Sequence, residues 1–139
     1  MEEERRHQQP ATLRLRSVTP SLTVNDLQAS LAWYRDVLGC FVAQELEEEG
    51  KVTGAILRAG AVEIFLTQDD FAKGRHREKG VGFRLYCTTS LDVDDLAAAI
   101  TARGGVLTQP PKDQSWGVRD FAVTDPDGFK ISISTALPA

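Results

Sequence analysis

Histidine is scarce in this chain: only His7 and His76 occur among 139 residues. His76 lies among Lys73, Arg75, Arg77 and Lys79, where like-charge repulsion disfavours a bound cation. His7 lies in the polar N-terminal stretch, and both are read as solvated surface side chains. Cysteine is equally sparse. Cys40 and Cys87 form no CxxC and have no neighbouring histidine, so nucleophilic thiol chemistry is not indicated. Both are expected reduced and packed, as in a cytoplasmic protein. An excess of basic residues is also missing. With 16 basic and 20 acidic side chains the net charge is −4, which gives no footprint for nucleic acid. No apolar run is long enough to span a bilayer. The opening MEEERRHQQPATLR has no apolar core behind its charges, so neither a secretory signal nor a membrane partner is expected.

What is present is an ordinary globular composition, 42% hydrophobic and 26% charged, at a length suited to one domain. Residues 1–16 are read as a flexible lead-in and 17–139 as a single domain. Within it the chain repeats itself. LTVNDLQASLAWYRDVLG (22–39) begins with alternating Leu22 and Val24, then places Leu27, Leu31, Tyr34 and Leu38 at helical spacing. Asn25 or Asp26 can cap this helix, and Gly39 suits its end. Three strands are expected next, with turns near Glu49-Gly50 and Ala59-Gly60. The acidic run from Glu45 to Gly50 is read as a solvated hairpin tip.

FRLYCTTSLDVDDLAAAITARGG (83–105) restarts the pattern: a strand, acidic caps, an Ala-rich helix and a Gly-Gly stop. VLTQPP, VRDFAVT and FKISIST then supply three more strands. Asp-Leu pairs at 26–27 and 95–96, and glycines at 60 and 128, stand at nearly equal offsets of about 69 residues, as in a duplicated module. The fold class is α+β, with two tandem strand-helix-three-strand modules. Module one spans 18–68, a linker 69–80, and module two 81–135. Period two divides each closing strand between faces. Val62, Ile64 and Leu66, like Phe129, Ile131 and Ile133, are assigned to the helix-covered core. Glu63, Phe65 and Thr67, like Lys130, Ser132 and Ser134, face the other way. DPDG (125–128) is a turn: Asp125 accepts backbone N–H bonds, Pro126 pre-sets one dihedral and Gly128 takes the positive φ.

The opening LTVNDLQASLAWYRDVLG, the hairpin WGVRDFAVTDPDGFKISI and the duplicated order resemble the vicinal oxygen chelate superfamily. That superfamily holds glyoxalases, extradiol dioxygenases, epimerases and bleomycin-resistance proteins. The resemblance covers about residues 18 to 135 and implies two curved mixed sheets around a cleft. In the enzymes of this family a divalent metal sits there, held by histidines and glutamates of the first and last strands. The matching positions here hold Thr19, Glu63 or Phe65, Gly82 and Ser132, with Arg84 and Tyr86 on the same face as Gly82. Glu63 alone is a competent donor, and one carboxylate does not hold an ion that needs three or four protein ligands. The expectation is therefore no metal and no other cofactor.

What the resemblance then implies is a metal-independent binding protein, close to the bleomycin-resistance branch. It sequesters an aromatic or cationic small molecule in the cleft of a homodimer. The alternatives are a metal-dependent lyase, isomerase or dioxygenase of the superfamily, acid–base chemistry through Glu63, or a regulatory partner-binding domain. No catalytic residue is assigned. The ligand-binding set is Glu63, Phe65, Tyr86, Trp116, Arg119, Lys130 and Ser132. Trp116 is chosen to stack on a planar or cationic group, and Arg119 to hold an anion.

Overall fold

A computed structural model describes residues 12–139; His7 and most of the expected lead-in lie outside the described residues. The first module runs β1 (Ser21–Val24), α1 (Leu27–Ala32), β2 (Phe41–Glu48), β3 (Lys51–Ala59) and β4 (Val62–Gln68). The second runs β5 (Arg84–Thr88), α2 (Val93–Ala102), β6 (Leu107–Asp113), β7 (Val118–Thr124) and β8 (Lys130–Ala136). Their sheets have matching orders, β1-β4-β3-β2 and β5-β8-β7-β6. In each, the first strand lies parallel to the last, Leu22 opposite Leu66 and Leu85 opposite Ile131, and the remaining pairs are antiparallel. The expected α+β architecture of two tandem modules is therefore present. Among the described residues, no helix is long and apolar enough to cross a membrane.

The helix starts follow from their caps. Asp26 Oδ1 accepts the Ala29 N–H at 3.1 Å, and Asp92 Oδ1 accepts the Asp95 N–H at 3.1 Å. Each thereby satisfies one orphan donor of a first turn. The true structural equivalents are thus Asp26 and Asp92, rather than the two Asp-Leu pairs, because α2 begins earlier than its Asp-Leu pair suggests. The first helix does not continue as regular α-helix. Trp33–Leu38 forms a π-helical segment, and Gly39 N–H reaches back five residues to Tyr34 O at 3.0 Å. This wider winding moves Leu38 off the stripe that 3.6-residue spacing assigned to it. Leu27, Leu31 and Tyr34 are buried and Leu38 only partly so.

Burying both helices against one face of each sheet produces a single core. It joins Leu22, Leu31, Tyr34, Leu57, Ile64 and Leu66 to Val93, Ala97, Ile100, Phe121, Val123 and Ile131. The modules are then tied by polar contacts between residues distant in sequence. Tyr34 donates its hydroxyl hydrogen to Asp125 Oδ2 at 2.7 Å. Asn25 N–H and Ser30 Oγ both donate to Asp127, at 2.9 and 3.3 Å. Arg103, just past α2, donates to the carbonyls of Val37 and Leu38 at 2.9 and 3.3 Å, partnering the terminal carbonyls of the first helix.

The linker is clamped rather than loose. Asp69 is buried; its Oδ2 accepts Lys79 Nζ at 2.9 Å and Arg77 at 3.3 Å, and its Oδ1 accepts the Phe71 N–H at 2.8 Å. Lys79 donates onward to Asn25 Oδ1 at 2.6 Å. The Lys79 ammonium, followed by the Phe71 N–H, pulls the Asp69 carboxyl down to about 2 from its ordinary 3.8. A depressed carboxyl stabilises the fold fully above the unfolded value and loses that contribution as pH falls through the folded one. Hydrogen exchange at the Phe71 amide should therefore accelerate between about pH 4 and pH 2 beyond its intrinsic pH dependence. A flat protection factor across that window would remove the clamp.

The two thiols are unpaired, Cys40 buried and Cys87 half-buried. Burial pushes Cys40 up to about 11 and raises Cys87 as well, so both are held as poor nucleophiles.

Candidate ligand-binding site

In the second module, the sheet face opposite α2 is open to solvent. Period two sends Phe121 and Val123 of β7 into the core and leaves Asp120, Ala122 and Thr124 on the open face. Ser132 of β8 pairs with Ala122 on one side and Tyr86 of β5 on the other. These strands form the floor of a pocket of about 440 Å³, whose walls include Arg84, Tyr86, Gln109, Gln114, Trp116 and Lys130. That volume suits a drug-sized molecule. Trp116 sits at the tip of the β6–β7 hairpin, where Gln114 N–H bonds to Val118 O at 2.7 Å. Trp116 is 65% exposed and Tyr86 76% exposed, which leaves two aromatic surfaces open at the pocket rim.

Three polar contacts shape the floor. Arg84 donates from one guanidinium nitrogen to Ser132 Oγ at 2.8 Å, and its Cζ lies 6.0 Å from the Tyr86 ring centroid. Gln109 and Gln114 each donate a side-chain N–H to the same oxygen, Asp120 Oδ1, at 2.7 and 2.8 Å. Asp120 itself is only 5% exposed.

Of the residues chosen from sequence, Tyr86, Trp116, Lys130 and Ser132 line this one pocket. Phe65 lines a separate pocket of about 760 Å³ on the open face of the first module, together with Thr23, Gly54 and Thr67. Glu63 lines neither; it is half-buried, with Oε2 accepting the Arg58 Nε–H at 3.3 Å. Arg119 shares the parity of Phe121 and Val123 and turns to the helical side. It forms a bidentate pair with Asp94 at 2.7 and 2.9 Å and a third bond to Asp113 at 3.0 Å. These partners raise the guanidinium above its usual range and hold Asp94 below the usual carboxylate range. Arg119 therefore joins α2 to its sheet and stands outside the pocket. Sequence reasoning passed over Asp120, Gln109 and Gln114. The alternation around Phe121 was a legible signal for Asp120.

The positions that hold a metal in the enzymes of this fold do not fit one here. Thr19 and Gly82 precede their strands, and Ser132 already receives a bond from the Arg84 guanidinium. A fixed cation beside a neutral hydroxyl opposes a divalent ion instead of ligating it. Glu63 is engaged by Arg58. Among the described residues, no three His, Cys, Asp or Glu side chains are grouped to hold a metal.

Two strand-helix-three-strand modules, each presenting one open sheet face, define the structural class. The chain belongs to the Glyoxalase/Bleomycin resistance protein/Dioxygenase superfamily, whose family model matches residues 14–133. Its fold is similar to a glyoxalase/bleomycin resistance protein/dioxygenase from Nocardioides, with a TM-score of 0.70 and 19% identity over 100% of this chain and 95% of that one. It is also similar to TioX from Micromonospora sp. ML1, with a TM-score of 0.68 and 21% identity over 89% and 98% of the two chains. A third similar structure is TnmS3, an antibiotic binding protein from Streptomyces sp. CB03234, with a TM-score of 0.68 and 21% identity over 90% of this chain and 99% of that one. No curated protein matches the chain.

Proposed function

We propose that this chain is a metal-independent binding protein that sequesters a planar aromatic or cationic small molecule, acting as a homodimer. One observation carries the reading: the exposed Trp116 and Tyr86 rings flank a pocket whose metal-ligand position is taken by the Arg84–Ser132 contact. Aromatic faces set over a polar floor favour stacking on a flat or cationic partner. The similarity to TnmS3, an antibiotic binding protein, supports a small-molecule ligand. The dimer is supported by how the pockets are built. One is lined by the second module alone and the other by the first module and the linker, so a second copy could cover each open face with its counterpart.

Four measurements test this. Acridine, neutral at pH 8 and fluorescent, should bind the purified protein with a dissociation constant in the micromolar range or tighter, read by anisotropy. Trp116→Ala should weaken it by about three- to tenfold, the worth of one aromatic contact, while the thermal midpoint stays within a degree or two. Arg119→Ala should leave acridine affinity unchanged. Metal analysis of protein purified without chelator should find well under one equivalent; a full equivalent of zinc, manganese, nickel or iron would overturn the metal-independent reading. Light scattering should give a mass near twice the 15.2 kDa of one chain; a single-chain mass at micromolar concentration would remove the dimer.

A further inference from the structure

The polar groups on the floor of the second-module pocket are of opposite charge and do not neutralise each other. Asp120 spends one oxygen on Gln109 and Gln114. Among the described residues, no hydrogen bond and no ion pair reaches its Oδ2. Yet Asp120 is 95% removed from solvent and lines the pocket. Lys112 stands opposite it on β6 without forming an ion pair. A carboxylate held only by two neutral amides keeps one acceptor oxygen open to the pocket, where a ligand can reach it.

The other pole lies across the floor. Arg84 gives Ser132 a single N–H, which leaves most of its five donors unspent among the described residues. Lys130, its partner in register on β8, adds a second cation on the same wall. Ser132 pairs with Ala122, and Asp120 lies two residues along β7 from Ala122. Asp120 is thus a diagonal neighbour of the residue that Arg84 touches, on the same face of the sheet. Among the described residues no salt bridge joins Asp120 to Arg84, although both line the one pocket. The Trp116 and Tyr86 rings rise beside it.

We propose that this pocket selects a planar aromatic ligand with two poles, a protonated nitrogen held by Asp120 Oδ2 and a carboxylate or similar anionic group held by Arg84. The inference rests on the aromatic-binding reading above and adds the ligand's charge pattern. Among the described residues neither charged group has a partner of opposite sign, and the ligand supplies both. Charge-assisted bonds in a partly desolvated site exceed neutral ones, so each pole should show separately in affinity.

The test uses four acridines at pH 8: acridine, 9-aminoacridine, acridine-4-carboxylate and 9-aminoacridine-4-carboxylate. In the wild-type protein the amino group and the carboxylate should each improve affinity by about tenfold, with the doubly substituted compound tightest. Asp120→Asn keeps an acceptor for both glutamines and should abolish only the gain from the amino group. Arg84→Gln should abolish only the gain from the carboxylate. The wild-type comparison needs no variant to fold. If acridine binds but neither substituent improves affinity, or if the gains survive both variants, the two-pole inference falls and the aromatic pocket stands. If none of the four binds, the pocket reading falls and takes the inference with it.

Discussion

Asp125→Ala should cost about 3 kcal/mol of folding stability, a large share of what a domain of this size has to lose. Asp125 is 4% exposed and gathers three donors. Its Oδ1 accepts the N–H groups of Asp127 and Phe129 at 2.9 and 2.8 Å, and its Oδ2 accepts the Tyr34 hydroxyl at 2.7 Å. The first two bonds close the turn before β8. The third crosses from that turn to a fully buried tyrosine in the first module, which alanine would leave unsatisfied. Asp125→Asn keeps the acceptor for the backbone and an amide facing the phenol, so it should cost much less. Urea denaturation of the two variants separates lost hydrogen bonding from lost charge. Equal losses for Ala and Asn would mean that the ionised carboxylate itself is required.

The same residue carries a pH signature opposite to that of Asp69. Burial holds the Asp125 carboxyl above its ordinary range in spite of the Tyr34 hydroxyl and two backbone donors. A raised carboxyl favours the neutral acid in the folded state. Its extra stability is complete below the unfolded value of 3.8 and is lost as pH rises through the folded one. In Asp125→Asn this limb of the stability profile should vanish. Tyr34 is driven far above its usual range, first by burial and then by the nearby carboxylate, and so remains a donor throughout.

Gly80→Ala should be at least as damaging, at about 3 kcal/mol or more. Gly80 has φ +78°, a conformation that costs an alanine about 1 kcal/mol or more by itself. An added Cβ would also lie 2.6 Å from Gly128 C and 2.9 Å from Phe129 N, and closer still to Gly128 O. All three are backbone atoms at the exit of the DPDG turn, which cannot rotate away as a side chain would. The end of the linker is therefore docked on the turn that sets the register of β8. Gly60→Ala is the matched control: its φ is +59°, with nothing within 4 Å of the added Cβ. It should lose only about 1 kcal/mol. If the two variants melt together, the linker does not rest on the turn.

These two positions show where local chemistry ends. The DPDG turn, the Asp26 cap and the alternation of β4 and β8 were readable because each depends on neighbours within a few residues. The period-two rule put Ile64, Leu66 and Ile131 into the core, where they are. The same rule, applied to β7, assigns Arg119 to the side of Phe121 and sends Asp120 to the open face. That much was available in the sequence, and only the attraction of Trp116 and Arg119 as a neighbouring pair obscured it. The π-helical end of the first helix was not available. A 3.6-residue stripe and a wound-out turn share nearly the same apolar spacing until the Arg103 contact and the buried Tyr34 distinguish them.

By itself, then, the sequence determined the duplicated modules, the turn that registers the last strand and the hydroxyl at 132 in place of a carboxylate. These are matters of adjacent residues, where dihedral preference and side-chain period act directly. The tertiary structure alone decided that Arg84 bonds to Ser132, that Gln109 and Gln114 both choose one oxygen of Asp120, and that Asp125 answers to Tyr34. The glutamine contacts depend on the bulged register of β6 on β7, the Arg84 contact on the parallel pairing of β5 with β8, and the Asp125 contact on packing of the first helix against the second module. Their geometry emerges only when the core is closed, because until then water satisfies the same polar groups equally well.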